Sequence, residues 1–166
     1  MKKISFRAGT VLWSAIAAAI LVADRLVKAW IMGNCTPGEI FGELPFVSDF
    51  IYVKNTGAAF SLLSGNTGIL SAISVLFCIA AVVFWIVKKP EHCLLRGAVA
   101  MLFAGALGNA IDRVAYGFVV DFISIKWFDF PVFNIADIAI VLGAAAAIVY
   151  VFFFDKQEKP EEKDNE

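Results

Sequence analysis

The sequence is organised around residues 105–137, which read GALGNAIDRVAYGFVVDFISIKWFDFPVFNIAD. This stretch holds four aspartates, Asp112, Asp121, Asp129 and Asp137, between apolar segments that are almost free of charge. A carboxylate at the edge of a bilayer is costly, so several of them close together indicate a functional site. We therefore take these four residues as the first candidates for chemistry.

The composition is that of an integral membrane protein. Of the 166 residues, 60% are hydrophobic and the mean hydropathy is +0.79, whereas soluble domains are about 45–50% apolar. The net charge of −1 gives no basis for nucleic-acid binding. The three cysteines, Cys35, Cys78 and Cys93, lack the spacing of metal ligands and fall at different depths, so we expect no disulfide. We expect the single histidine, His92, to be solvated in a loop.

Long apolar runs predict four transmembrane helices, at about 11–32, 69–87, 94–115 and 134–154. They form a single integral membrane domain, residues 1–154, with outer loops at 33–68 and 116–133. Residues 155–166 are rich in charge and are expected to form a disordered cytoplasmic tail.

The distribution of lysine and arginine predicts the orientation of the chain. Nine of these residues fall on the side of the two termini, and three fall on the other side, Lys54, Arg113 and Lys126. Because cytoplasmic segments carry the excess of positive charge, both termini are expected in the cytoplasm. The aspartate-bearing loops then face outward.

Two segments of the outer loops have the composition of strands. Residues 46–54 (FVSDFIYVK) and 118–125 (FVVDFISI) are rich in β-branched and aromatic side chains. We expect them to pair in a small sheet that rests on the membrane surface, with aromatic side chains at the level of the lipid headgroups.

Two of the four aspartates can meet around a water molecule. Asp121 lies in the second strand-like segment and Asp137 opens the fourth span; fifteen residues that include Pro131 connect them. Two close carboxylates cannot both ionise cheaply, so one keeps a proton while the other activates water. For Asp112 we favour an ion pair with Arg113, and for Asp129 exposure to solvent.

Several polar residues near this pair of aspartates have two interpretations, one structural and one functional. Asp24 and Lys28 lie four residues apart on one helical face, where they can form an ion pair or support a site. Three asparagines, Asn55, Asn109 and Asn134, can either orient a carboxylate and bind a peptide backbone or act only as caps and turn residues.

Other catalytic mechanisms lack the residues that they need. One cytoplasmic histidine leaves no serine–histidine or cysteine–histidine site and no histidine-ligated metal at the outer face. An all-carboxylate Mg²⁺ or Ca²⁺ site stays open, although we expect activity without a metal or other cofactor. A proton-coupled transporter subunit and a non-catalytic scaffold protein are the alternatives from other functional classes.

Five motifs in order resemble the type II (lipoprotein) signal peptidases. They are DRLVK at 24–28, KNTGAAFSLL at 54–63, GALGNAIDR at 105–113, GFVVDFI at 117–123 and FNIAD at 133–137. The resemblance implies four transmembrane helices with a small extracytoplasmic β-cradle and a short surface helix. It also implies a bacterial inner-membrane aspartic endopeptidase that is inhibited by globomycin.

The resemblance further implies the substrate and the residue roles. The substrate is a prolipoprotein held in membrane lipid, and cleavage falls just before a cysteine that carries diacylglycerol. The family's catalytic aspartates fall on Asp121 and Asp137. Its supporting residues fall on Asp24, Lys28, Asn55, Gly108, Asn109, Asp112, Arg113 and Asn134.

Overall fold

A computed structural model describes residues 6–57 and 65–155. In chain order, its helices and strands are α1 (Phe6–Asn34), β1 (Ile40–Leu44), β2 (Ser48–Asn55), α2 (Thr67–Lys88), α3 (Cys93–Tyr116), β3 (Val119–Ile125) and α4 (Ile135–Phe153). All four helices are long and apolar enough to cross a membrane. The predicted fold class, four membrane-spanning helices with a small sheet, is confirmed.

The helix boundaries differ little from the prediction except at the start of the chain. Helix α1 begins at Phe6 rather than near residue 11, because hydropathy marks only the most apolar part of a helix. The other helices begin and end within two residues of the predicted positions. The described residues contain no fifth α-helix, so the short surface helix stays a prediction. Residues 58–64, which include the end of the second motif, and residues 156–166 of the tail lie outside the described residues.

Helix α3 lies at the centre of the bundle and contacts the other three helices. Its glycines permit this packing. A Cβ on Gly97 would lie 2.6 Å from the ring of Trp13 in α1, and a Cβ on Gly105 would lie 2.3 Å from the carbonyl oxygen of Ala136 in α4. Small residues allow helix backbones to approach closely in membranes, where tight packing drives association.

The three strands form one antiparallel sheet in the order β1-β2-β3. The predicted pairing of the second and third strands is confirmed, with Val53 opposite Asp121. Strand β1 was not predicted from the sequence, because its residues IFGEL include a glycine and only one β-branched side chain. A small core of Ile31, Tyr52, Val120 and Phe122 joins the sheet to the end of α1.

The bundle therefore has two different ends. The sheet end contains the sheet, the C-terminus of α3 and the N-terminus of α4, and the opposite end contains the α2–α3 connection and the C-terminus of α4. At the opposite end, His92 caps α3 by accepting the Leu94 N–H, and its ring lies 4.6 Å from that of Phe154. His92 lies in the α2–α3 loop, as predicted, but it is only half-exposed, because its side chain caps α3 and packs on an aromatic residue beyond α4. All three cysteines are free.

Candidate active site

Asp121 is held by strand β3 with its side chain buried, 2% exposed. Val53 lies opposite it on β2, next to an irregularity in the register. The amide of Asn55 donates to one carboxyl oxygen at 2.8 Å, and the amide of Asn134 donates to the other at 2.7 Å. Both oxygens therefore have a fixed neutral donor, which sets the orientation of the carboxyl group.

Asp137 lies in the first turn of α4, as predicted, and forms part of its N-terminal cap. The backbone N–H of Asn134 donates to the Asp137 carboxyl at 3.1 Å, and the Asp137 N–H donates to the Asn134 side chain at 2.9 Å. This reciprocal capping box satisfies two helix-terminal donors and fixes the side chain of Asp137. The amide of Asn109 donates to its other carboxyl oxygen at 2.7 Å.

Asn134 joins the two aspartates. Its side-chain amide donates to Asp121 while its backbone N–H donates to Asp137. The two carboxyl groups therefore approach a single residue from different elements, and both line one cavity of about 440 Å³. The fold brings together the two aspartates singled out from the sequence.

A buried lysine sets the orientation of this asparagine network. Lys28, 0% exposed, donates to the carbonyl oxygen of the Asn109 side chain at 3.1 Å. Asn134 donates to the same oxygen at 3.1 Å. Because that oxygen accepts from both residues, the amide nitrogen of Asn109 is turned toward Asp137.

The same lysine joins two further buried carboxylates. Its ammonium lies 2.9 Å from Asp24 and 2.9 Å from Asp112, so the Asp24–Lys28 ion pair, one of the two alternatives left open by the sequence, is present. Asp24 also accepts the Ala136 N–H at 3.1 Å and so contacts the first turn of α4. Buried carboxylates require such partners, because an unpaired buried charge is strongly unfavourable.

Asp112 and Arg113 do not form the ion pair favoured from the sequence. Asp112 pairs with Arg25 and Lys28 of α1. Arg113 instead lines the cavity and donates to the Gly57 carbonyl at 3.0 Å. Adjacent helical residues point in different directions, which explains the error. Asp129 is exposed, as predicted.

The pKa of Asp121 is raised to about 7. Burial is the main cause because it disfavours the charged form, and the nearby negative charge of Asp137 raises the pKa further. Hydrogen bonds from Asn55 and Asn134 and the charge of Lys28 oppose the shift. Asp121 can therefore keep a proton near neutral pH, as a general acid must.

The remainder of the cavity wall is apolar and was not identified from the sequence. It includes Phe130, Pro131 and Val132 from the β3–α4 connection, and Ile138, Val141 and Leu142 from α4. No motif marked these residues, because apolar side chains in a membrane protein carry no distinguishing pattern. Gly108 allows close packing beneath the site, since a Cβ there would lie 3.0 Å from Asp24.

No three His, Cys, Asp or Glu side chains converge as metal ligands within residues 6–57 and 65–155. The site as described consists of two carboxyl groups, two asparagines and an arginine that line a cavity, with the buried Asn134 joining the two carboxyl groups. Ion pairs of α1 with α3 lie behind it.

The chain is similar to known proteins in both sequence and fold. Residues 16–153 match the family model described as signal peptidase (SPase) II. A lipoprotein signal peptidase of Clostridium acetobutylicum is 36% identical over 149 residues, which cover 86% of this chain and 94% of that protein. One from Gloeobacter violaceus is 40% identical, with coverage of 82% and 80%.

A solved bacterial membrane enzyme, determined at 2.3 Å resolution, has the same fold. It superposes with a TM-score of 0.84 and 34% sequence identity, and the match covers 98% of each chain. The family match, the similar relatives and the shared fold extend over all four helices. The chain therefore belongs to the signal peptidase II family of membrane proteases.

Proposed function

We propose that this protein is an aspartic endopeptidase that removes signal peptides from prolipoproteins. The relatives named lipoprotein signal peptidases support this substrate class. The bond cleaved is the one before a cysteine that carries diacylglycerol. Asp121 and Asp137 activate the attacking water, and the reaction requires no metal or other cofactor.

The observation that carries this proposal is the double role of Asn134. One residue donates hydrogen bonds to both aspartates, and both aspartates line one cavity. Two carboxyl groups held in this way can share a single proton, because a second negative charge in the same site is unfavourable. The pair titrates as a unit.

The two aspartates have different roles in hydrolysis. Protonated Asp121 donates to the oxygen of the scissile carbonyl, and ionised Asp137 removes a proton from water as the water attacks the carbonyl carbon. The tetrahedral intermediate then collapses as the leaving nitrogen takes a proton from the pair. The products are a signal peptide with a free carboxylate and a lipid-modified cysteine with a free amine.

The assignment of Asp137 as the base rests on its surroundings. It accepts hydrogen bonds from Asn109 and from the Asn134 N–H, and it lies at the N-terminus of α4. Donors of this kind and the positive end of the helix dipole favour a negative charge at this position.

Three residues are suited to hold the peptide backbone of the substrate. Asn55, Asn109 and Arg113 line the cavity beside the two aspartates. Within the described part of the chain, the buried Nε of Arg113 has no hydrogen-bond partner. The Arg113 guanidinium, which lines the cavity, can donate to a substrate carbonyl that enters it. Asp24, Lys28, Gly108, Asp112 and Asn134 support the site from behind.

The cavity also fits a lipid-modified substrate. Its apolar wall includes Ile138, Val141 and Leu142 of the membrane-spanning helix α4, so acyl chains can stay in the bilayer while the peptide reaches the aspartates. We place the protein in the bacterial inner membrane as one domain, residues 1–154, with both termini in the cytoplasm and the site at the outer face. Globomycin is expected to inhibit it from this cavity.

The direct test is cleavage of a diacylglyceryl-modified prolipoprotein by purified variants. We expect Asp121→Asn and Asp137→Asn each to lower kcat by at least about 10²–10⁴-fold, because each removes an acid–base group. Asp129→Asn is the matched control, since Asp129 is exposed in the connection between β3, which carries Asp121, and α4, which carries Asp137. Full turnover by either of the first two variants would remove that residue from the catalytic pair.

A further inference from the structure

Arg25 has no role in the function proposed above, but it contacts the ion-pair network behind the site. It follows Asp24 on α1, and its side chain is 23% exposed. Its guanidinium forms an ion pair with Asp112 and lies 6.0 Å from the centre of the Tyr116 ring. Arginine suits this position because its planar group can pair with a carboxylate and pack on an aromatic face at once.

Asp112 transmits this contact to the strand that carries Asp121. One Asp112 oxygen pairs with Arg25, and the other accepts the Val120 N–H at 3.3 Å. Val120 is fully buried and directly precedes Asp121 in β3. The position of Asp112 therefore bears on the position of the Asp121 backbone.

Arg25 also affects how the Lys28 ammonium divides its hydrogen bonds among its partners. The Lys28 ammonium has three N–H groups and three close oxygen partners, on Asp24, Asp112 and Asn109. Because Arg25 supplies a second positive charge to Asp112, two cations face two buried carboxylates. Without it, Lys28 alone would balance both, and its contact with Asn109 would weaken.

We propose that Arg25 is a positioning residue for the reaction. Through Asp112 it holds β3, and so Asp121, in place. By pairing with Asp112 it leaves Lys28 able to orient Asn109, which donates to Asp137. Arg25 thus acts on both aspartates without touching either, and this inference rests on the proposed catalytic pair.

Steady-state cleavage by Arg25→Gln and Arg25→Lys tests the proposal. We expect Arg25→Gln to lower kcat by about tenfold with KM changed less than about twofold, because misplaced catalytic groups slow chemistry rather than binding. Arg25→Lys keeps the charge but loses the planar guanidinium, so it should recover most of kcat and stay about two- to threefold below the unmodified enzyme. Arg7→Gln is the matched control: it lies exposed on the same helix at the opposite end.

Thermal unfolding separates positioning from a purely structural role. A lower unfolding temperature with unchanged kcat in Arg25→Gln would overturn the proposal. If Arg25→Gln does not fold, Arg25→Lys decides, because the single lysine ammonium cannot reproduce the arginine geometry. A kcat reduced by about two- to threefold supports the proposal, and an unchanged kcat contradicts it.

Asp121→Asn, measured beside these variants, distinguishes the two proposals. An active Asp121→Asn enzyme would overturn the catalytic pair itself. An inactive Asp121→Asn enzyme together with full kcat in Arg25→Gln would overturn only the role of Arg25.

Discussion

The cavity that contains the two aspartates and a second cavity farther from the sheet differ in chemistry far more than in size. The cavity at the sheet end measures about 440 Å³ and is lined by two aspartates, two asparagines and an arginine in addition to apolar side chains. The second cavity measures about 350 Å³, lies between α1, α2 and α3 toward the opposite end, and contains Ser14 among residues such as Trp13, Trp85 and Phe103.

Buried charge is present at both ends of the bundle. At the opposite end, Arg96 is 3% exposed, donates to the Pro90 carbonyl and packs against Gly9. At the sheet end, Asp24, Lys28 and Asp112 form ion pairs that connect to the asparagines of the site. Buried charge is expensive in a membrane protein. A connected network of it therefore marks where the fold has been shaped for chemistry as well as for stability.

Removal of Lys28 should break this contrast most severely. Lys28→Met leaves Asp24 without its cation and Asp112 with Arg25 alone, and loss of one partner from a buried pair costs about 3–5 kcal/mol. We expect a large fall in the thermal unfolding temperature and loss of cleavage. Lys88→Met is the control at the opposite end, where Lys88 is exposed and the change should stay within about 0.5 kcal/mol.

An equal and small effect of both substitutions would contradict this prediction. It would mean that the ion pairs at the sheet end contribute no more than an exposed lysine does.

Substitution of two glycines on the α3–α4 interface should have smaller effects and should sharpen the contrast between the two ends of the bundle. A Cβ on Gly105 would lie 2.3 Å from the Ala136 carbonyl oxygen, and one on Gly143 would lie 2.9 Å from that of Ala98. Each alanine substitution should destabilise by about 1–3 kcal/mol, because a packed interface cannot absorb the added methyl group. Thermal unfolding measures this common effect.

Catalysis should separate these two variants. Ala136 directly precedes Asp137, so Gly105→Ala should displace this proposed catalytic base and lower kcat by about tenfold. Gly143 lies farther along α4 from Asp137, so Gly143→Ala should leave kcat within about twofold. Equal losses of kcat would show that helix packing in general, rather than local placement of Asp137, limits turnover.

The sequence predicted the elements of the fold well where the physical signal is strong. Four long apolar runs mark the helices, and β-branched residues mark β2 and β3. Strand β1 was missed because its pairing, not its composition, makes it a strand. The start of α1 was missed because the helix continues into a less apolar segment.

Asp121 and Asp137 were identified as candidates because carboxylates are rare beside apolar segments, and the structure places both at one cavity. The predicted partner of Asp112 was wrong, because ion pairs between helices depend on how each helix is rotated about its axis. The spacing of residues along the sequence does not determine that rotation. The double contact of Asn134 was likewise invisible, since it requires β3 and the start of α4 to meet.

The raised pKa of Asp121 has a consequence for the pH dependence of cleavage. Asp121 keeps its proton below its pKa of about 7 and loses it above. Because the proposed reaction needs one protonated and one ionised aspartate, kcat/KM should fall as the pH rises through the neutral range.

The most direct measurement is the titration of the Asp121 carboxyl group, followed by the NMR chemical shift of its carboxyl carbon in purified protein. We predict a midpoint near 7 in the unmodified enzyme. In Asp137→Asn the midpoint should be lower, because a like charge is removed, yet remain above 3.8 because burial persists. A midpoint near the ordinary value of 3.8 in the unmodified enzyme, or one that Asp137→Asn leaves unchanged, would contradict a shared proton between these two aspartates.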